Sequence, residues 1–232
     1  MTIWLASGNK HKLQEISAVL ADSGIKNDID INLPAEAGIT GFDPKETGTT
    51  FAENALIKAR ALHCLLKGAQ VNNSGPVLAD DSGLCVDILE GKPGIYSARY
   101  YGKESWNSDG SFCESTGSGK LRDEERNILL LEELKTRQSA EERLRKCRFV
   151  CAMVLFFGPD RFYLVQETLE GEIVSSPAEI RGQGGFGYDP IVYLPELGRT
   201  VAELSEDKKN RYSHRGKAGR LIVKLLTGSL FV

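Results

Sequence analysis

The chain has 232 residues, 41% of them hydrophobic and 26% charged, with a formal net charge of −3. That is the composition of an ordinary globular protein, long enough for one large domain or two small lobes. It offers no global basic field for nucleic-acid backbone and no apolar run of the ~18–20 residues that span a bilayer, so neither nucleic acid nor membrane is an expected partner.

The N-terminus, Met1-Thr2-Ile3-Trp4-Leu5-Ala6-Ser7, lacks a basic stretch and has a very short apolar one. It reads as a first β-strand rather than a signal peptide, and the expected location is cytoplasmic. Ser7-Gly8-Asn9 breaks the strand, and Asn9 is placed to cap a helix over residues ~10–22, where Leu13, Ile16 and Leu20 repeat at helical spacing. Ser7, Gly8, Asn9, Lys10, His11 and Lys12 form a candidate phosphate cradle. Glycine admits close backbone approach, a helix start attracts anions, and Lys12 adds a full charge. The competing reading is a capped helix with solvated lysines.

Ile29, Ile31 and Leu33 alternate with polar residues, as in a half-buried strand, and Pro34 to Thr49 reads as loop. Thr50-Phe51-Ala52-Glu53 matches a capping box that opens a long helix to about Leu66. Asn54 and Lys58, four apart, share a face of it. Glu46 lies outside the helix, free to reach a metal.

Val77 to Ala79 and Leu84 to Leu89 read as short strands around a turn, Asp80-Asp81-Ser82-Gly83. Adjacent carboxylates repel unless cations or hydrogen bonds offset them. At the end of an apolar strand, one could hold a divalent cation while the other orients or deprotonates a water. Gly102 to Lys120 is rich in Ser, Gly, Asn and Asp and reads as a mobile surface loop. A helix follows over ~121–137, with Leu130 and Leu134 on one face.

Val150 to Phe157 is continuously apolar, the mark of a strand buried on both faces. Gly158-Pro159-Asp160 turns it into a second strand, Phe162 to Val165. Gly182-Gln183-Gly184-Gly185-Phe186-Gly187 matches G-x-G-x-x-G, but Tyr188-Asp189-Pro190 follows at once instead of a helix, so a dinucleotide fingerprint is rejected. A glycine loop presenting Phe186 to a base fits better. Basic groups gather over Ser205 to Lys217, just before a last amphipathic helix carrying Ala218, Leu221, Ile222 and Leu225. Helices and strands intermix without strict alternation, which predicts an α/β fold with a mixed sheet. The five cysteines are an odd count and read as reduced, buried thiols, and the three histidines have no metal-binding spacing.

Taken together, these segments resemble the inosine triphosphate pyrophosphatase family, also called Ham1-like or XTP/dITP diphosphatases, in its bacterial branch. The resemblance runs in order through Ser7-Gly8-Asn9-x-x-Lys12, Glu46-Thr47-Gly48-x-Thr50-Phe51-x-Glu53-Asn54-Ala55-x-x-Lys58-Ala59 and Ala79-Asp80-Asp81-Ser82-Gly83-Leu84. It continues through Pro93 to Tyr100, Gly184 to Pro190, Ala202-Glu203-Leu204 and Ser213-His214-Arg215-Gly216. It implies one domain over residues 1–232, an elongated two-lobed α/β fold with a mixed sheet and the active site in the cleft between lobes. It implies hydrolysis of dITP, ITP and XTP to the monophosphate and pyrophosphate, with Mg2+ as cofactor, in a homodimer that clears such nucleotides from the pool.

Carried over, Asp81 is the general base, Glu46 and Asp81 are magnesium ligands, and Asp80 assists from behind. Ser7 to Lys12, Lys58 and Ser82 would hold the triphosphate. Phe186, Gly187, Tyr188, Asp189, Lys209, His214 and Arg215 would cradle the base and sugar. Ser7 stands where many relatives have threonine, keeping the hydroxyl, and Gly102 to Lys120 is longer than the family's segment. The alternatives are a Maf-like nucleotide pyrophosphatase with another base preference and a nucleotide-binding protein without catalysis.

Overall fold

The computed structural model describes residues 1–22, 29–71, 75–113, 121–136 and 145–228, with Lys10 described by its backbone alone. The end of the Gly102 to Lys120 segment, residues 114–120, lies outside the described residues. Twelve elements carry the argument: β1 (Thr2–Leu5), α1 (Lys10–Asp22), β2 (Asp30–Asn32), α2 (Phe51–Gly68), β3 (Val77–Val86), α3 (Asp123–Thr136), β4 (Lys146–Gly158), β5 (Arg161–Ile173), β6 (Val192–Leu194), β7 (Arg199–Thr200), α4 (Glu206–Tyr212) and α5 (His214–Leu226). Among the described residues the strands form one seven-stranded sheet in the order β2-β1-β3-β4-β5-β6-β7. It is mixed: β1 runs parallel to β2 and β3, while β6 is antiparallel to β5 and β7.

The chain divides into two compact units. The first comprises Met1–Ser82, Val150–Thr168 and Asn210–Val232, the second Gly83–Phe149 and Leu169–Lys209. In the first unit β1, the start of β3 and β4 from Val150 to Phe156 are buried on both faces, and alternation sorts their side chains. Ile3, Leu5, Leu78, Cys151, Met153 and Leu155 pack with Ile16, Val19 and Leu20 of α1 and Ala218, Ile222 and Val223 of α5. Trp4, Ala6, Val77, Ala79, Val154 and Phe156 pack with Ala55, Ala59, Leu62 and Leu66 of α2. The second unit packs α3, through Leu130, Leu131 and Leu134, with Leu84, Val86, Phe149, Ile173, Tyr188 and Val192.

Two sequence expectations about elements are corrected. The Asp80-Asp81-Ser82-Gly83 segment is not a turn: β3 runs unbroken from Val77 to Val86, and Asp87–Leu89 is a single 3-10 turn. Carboxylates can stay inside a strand here because helices on both faces bring cations to them. The second hairpin strand reaches Ile173 rather than Val165. Its far end passes close to β6, where a Cβ at Gly171 would lie 2.8 Å from the Tyr193 carbonyl oxygen. The basic run before α5 is itself partly helical, as α4. Among the described residues the cysteines are free thiols, with Cys85, Cys147 and Cys151 buried and Cys64 exposed. Burial pushes the Cys151 thiol up to about 12, so it is held protonated.

Candidate active site

In the first unit three helix starts converge on β3. Asn9 caps α1, its Oδ1 accepting the His11 amide at 2.9 Å and the Lys12 amide at 3.5 Å. The side chain therefore takes up amides that the sequence left available for phosphate. Thr50 caps α2 by accepting the Glu53 amide at 3.1 Å. Glu53 reaches past the cap, taking the Thr49 amide at 2.6 Å and hydroxyl at 2.9 Å, where a simple capping box would return to Thr50. Next to it, Asn54 Oδ1 accepts the Gly48 amide at 2.8 Å. Two neighbouring side chains of α2 thus grip the loop that carries Glu46. Ser213 caps α5 through the Gly216 amide at 3.0 Å. A Cβ at Gly216 would sit 1.8 Å from the Asn210 carbonyl oxygen, so the Ser213-His214-Arg215-Gly216 motif needs its last residue to let α4 and α5 close.

Those helices deliver Lys12, Lys58 and Arg215 to the carboxylates. Lys12 Nζ lies 2.9 Å and Arg215 Nε 3.3 Å from Asp80 Oδ2. Arg215 also donates from Nη1 to Glu15 and from Nη2 to Ser82 Oγ at 2.7 Å. Lys58 Nζ stands 2.9 Å from both Glu46 Oε1 and Asp81 Oδ1. Asp80 and Asp81 are buried, as are Asn54, Lys58 and Arg215.

Burial opposes ionisation of Asp80, but Lys12, Arg215 and Lys58 outweigh it and hold the carboxyl well below its usual range. Arg215 is likewise penalised by burial, yet Asp80 and Glu15 lock it in the charged form. Asp81 goes the other way: burial dominates, Glu46 adds repulsion, and Lys58 offsets only part, so its carboxyl is raised. Lys58 is held charged despite burial because Asp81, Asp80 and Glu46 all face it. The cluster sets four carboxylates (Glu15, Glu46, Asp80, Asp81) against three cations. Asp81 Oδ2 is buried without a hydrogen-bond partner among the described residues.

The second unit holds the glycine loop. Asp189 Oδ2 accepts the Phe186 amide at 2.9 Å and Lys209 Nζ at 2.8 Å, and the same ammonium stands 4.8 Å from the centre of the Phe186 ring. Gly185 has φ +75°, and a Cβ there would meet Asp189 Oδ2 at 2.0 Å. Only glycine lets the chain fold over that carboxylate.

The sequence model of the Ham1 family matches residues 3–225. The chain belongs to the Ham1 family. It is 44% identical over 229 residues to the dITP/XTP pyrophosphatase of Treponema denticola, covering 99% of this chain and 100% of the relative. It is 40% identical to the dITP/XTP pyrophosphatase of Thermus thermophilus, covering 97% and 91%. Its fold matches a HAM1 protein from Coxiella burnetii with a TM-score of 0.75 at 36% identity, covering 98% and 99% of the two chains. It matches the Staphylococcus aureus Ham1 protein with a TM-score of 0.72 at 35% identity, covering 99% and 100%.

Of the Ham1 site residues expected from sequence, Lys12, Glu46, Lys58, Asp81 and Ser82 sit in the carboxylate network of the first unit with Asp80. Arg215 joins them there, although the resemblance grouped it with the base and sugar: its three donor nitrogens are committed to Asp80, Glu15 and Ser82. His214 is buried beside it at the start of α5. Ser7, Gly8, Asn9 and His11 lie at the surface start of α1, with Ser7 Oγ accepting the Asn9 amide at 3.1 Å. Phe186, Gly187, Asp189 and Lys209 share the loop of the second unit. Tyr188 points into that unit's core, with its hydroxyl donating to the Ser97 carbonyl at 2.9 Å, so its side chain supports the loop from behind. Sequence reading missed Glu15, which follows Lys12 by three positions on one helix face, a spacing that turns both toward the Asp80–Arg215 pair.

Proposed function

We propose that this Ham1-family chain hydrolyses the noncanonical purine nucleoside triphosphates dITP, ITP and XTP to the monophosphate and pyrophosphate, with Asp81 as general base. The observation that carries the reading is the Asp81 carboxylate. One oxygen is tied to Lys58 and the other is buried without a hydrogen-bond partner among the described residues; Asp80 Oδ1 is in the same state, but only Asp81 has its carboxyl raised. A base in that state has an oxygen to offer a water. The water adds at the anhydride between the α- and β-phosphates, its proton passes to Asp81, and pyrophosphate leaves. Lys12 and Lys58 offset the charge that grows on the phosphate oxygens, the contribution that usually dominates in phosphoryl transfer. Ser82 and the Ser7 to Lys12 turn would hold the same groups.

The donor set suits a hard divalent cation, because carboxylates exceed cations in the cluster and Glu46 and Asp81 both face one ammonium. Magnesium takes one or two carboxylates plus substrate phosphates, and Glu46 and Asp81 are the residues that would hold it. When bound, it neutralises phosphate charge as a Lewis acid. Phe186 would stack on the base, with Asp189 and Lys209 fixing the loop. A site whose donors pair with a 6-keto group leaves them unpaired against a 6-amino group, which rejects adenine nucleotides. The dITP/XTP pyrophosphatase names of the relatives support this substrate class. The same reading makes the protein a cytoplasmic homodimer, which sedimentation at micromolar concentration would test.

The deciding experiment incubates the protein with Mg2+ and, separately, dITP, XTP, dATP, dGTP and dTTP, assaying pyrophosphate and orthophosphate in parallel. Pyrophosphate from dITP and XTP, with little from dATP, is the expected result. Orthophosphate would mean the terminal phosphate is attacked, and preferred turnover of dTTP would move the assignment to a different base class.

A further inference from the structure

The loop that carries Phe186 is held from outside by α3, which lies beyond the motifs that carry the family resemblance. Gly187 follows Phe186 directly and has φ +64°, with open space where a Cβ would stand. Its amide donates to Asp123 Oδ2 at 2.6 Å, and its carbonyl oxygen accepts from Asn127 Nδ2 at 3.1 Å. Both partners come from α3, four residues apart on one face, so a single peptide position is gripped at its donor and its acceptor. The grip is itself braced. Asp123 Oδ1 accepts Arg126 Nη1 at 3.0 Å, and Arg126 Nη2 donates to the Leu121 carbonyl at 2.8 Å. Asn127 is buried, as is Arg126, so neither side chain is free to swing. α3 is anchored in turn by Leu130, Leu131 and Leu134 in the core of the same unit.

A left-handed glycine is a position where the loop can readily change direction, because its backbone pays no side-chain penalty for other conformations. Clamping it removes that freedom and fixes the direction in which the preceding residue projects. We infer that Asp123 and Asn127 are positioning residues for base recognition: they hold Gly187 so that the Phe186 ring is presented to the purine. The inference rests on the proposed role of Phe186 in binding the base.

Asp123→Ala removes the acceptor of the Gly187 amide, while Asp123→Asn keeps an acceptor oxygen in the same place. For dITP, Asp123→Ala is expected to raise KM about fivefold, a fraction of what one hydrogen bond to a charged group contributes, with kcat within twofold. Asp123→Asn should recover most of the loss. Inhibition by inorganic tripolyphosphate, which has no base, should be unchanged, and hydrogen exchange in residues 182–189 should quicken. An unchanged KM in Asp123→Ala overturns the inference, even where exchange quickens. So does a fall in kcat without a rise in KM, or equal weakening of tripolyphosphate inhibition. Failure of the wild-type chain to release pyrophosphate from dITP sinks the proposed function instead. The exchange rate at Gly187 and the affinity for dIMP in the two variants then decide the positioning role alone.

Discussion

Asp80 and Asp81 are neighbours on one strand, yet they belong to two different regions of the first unit. Alternation along β3 turns Leu78 and Asp80 toward α1 and α5, and Val77, Ala79 and Asp81 toward α2. On the first face Asp80 meets Lys12 and Arg215. On the second, Asp81 pairs directly with Lys58, an ammonium it shares with Glu46 and that also faces Asp80. Burial raises both carboxyls, and the number of cations on each face decides the outcome: Asp80 ends below the ordinary value of 3.8 and Asp81 above it. Two residues of one type, one peptide apart, thereby differ in how readily each takes up a proton. Environment makes the distinction, as it does wherever paired carboxylates take separate roles.

The largest effect that would break this comparison is on turnover. Asp81→Asn keeps shape and removes basicity, and kcat for dITP should fall about a thousandfold, within the usual reach of a general base. The fold should survive, because Lys58 keeps Glu46 at 2.9 Å. A kcat within tenfold of wild type would remove Asp81 as the base.

Asp80→Asn should act mainly on stability. It leaves Lys12 without its carboxylate and Arg215 with only Glu15, and breaking a buried pair of this kind costs about 3 kcal/mol. Urea unfolding at neutral pH reads that loss, and an unchanged midpoint would show that Asp80 is not the counter-ion inferred. The pH dependence of stability sharpens the contrast because the two groups act with opposite sign. Asp80 is depressed in the folded state, so its contribution is present above pH ~4 and is lost as pH falls toward its folded value. Asp81 is raised, so folding favours its protonated form, and it contributes stability as pH falls from neutral through its folded value. Asp80→Asn should therefore flatten the acid loss of stability and Asp81→Asn should steepen it. The same direction of change in both variants would mean the two faces are not electrically distinct.

Much of the first region was legible in the chain. Leu13, Ile16 and Leu20 mark α1, Thr50 marks the start of α2, and Lys12, Lys58, Asp80 and Asp81 each stand out within their own segments of the chain. The continuity of β3 was hidden because Asp-Asp-Ser-Gly has turn composition, and the cation that lets Asp80 remain in a strand, Arg215, lies 135 residues away. Local propensity carries no information about such a partner. The pairing of Arg215 with Asp80 was hidden for the same reason, since a position in a basic run beside α4 says nothing about which carboxylate the side chain will meet. In the second unit the glycine loop was legible from Gly185 and Asp189. Its attachment to α3 was not, because Asp123 and Asn127 look like the ordinary polar start of a helix until Gly187 is brought to them.

The smallest expected effect comes from outside the comparison and tests whether it is self-contained. Phe186 belongs to the second unit, where its ring faces Lys209 and its amide donates to Asp189. Phe186→Ala removes a stacking face, and base–aromatic stacking of roughly 1–3 kcal/mol sets an expected rise in KM of about tenfold for dITP. The loop backbone should persist, because the Phe186 amide and Lys209 still meet Asp189. The acid profile of stability should superimpose on that of wild type, and the pH dependence of kcat, which reads the base in the bound complex, should keep its midpoint. A shift in that midpoint would tie the base-binding loop to the ionisation of Asp81 and make the two faces of β3 part of a larger electrostatic unit. An unchanged KM would take Phe186 out of the site and leave the glycine loop as a purely structural feature.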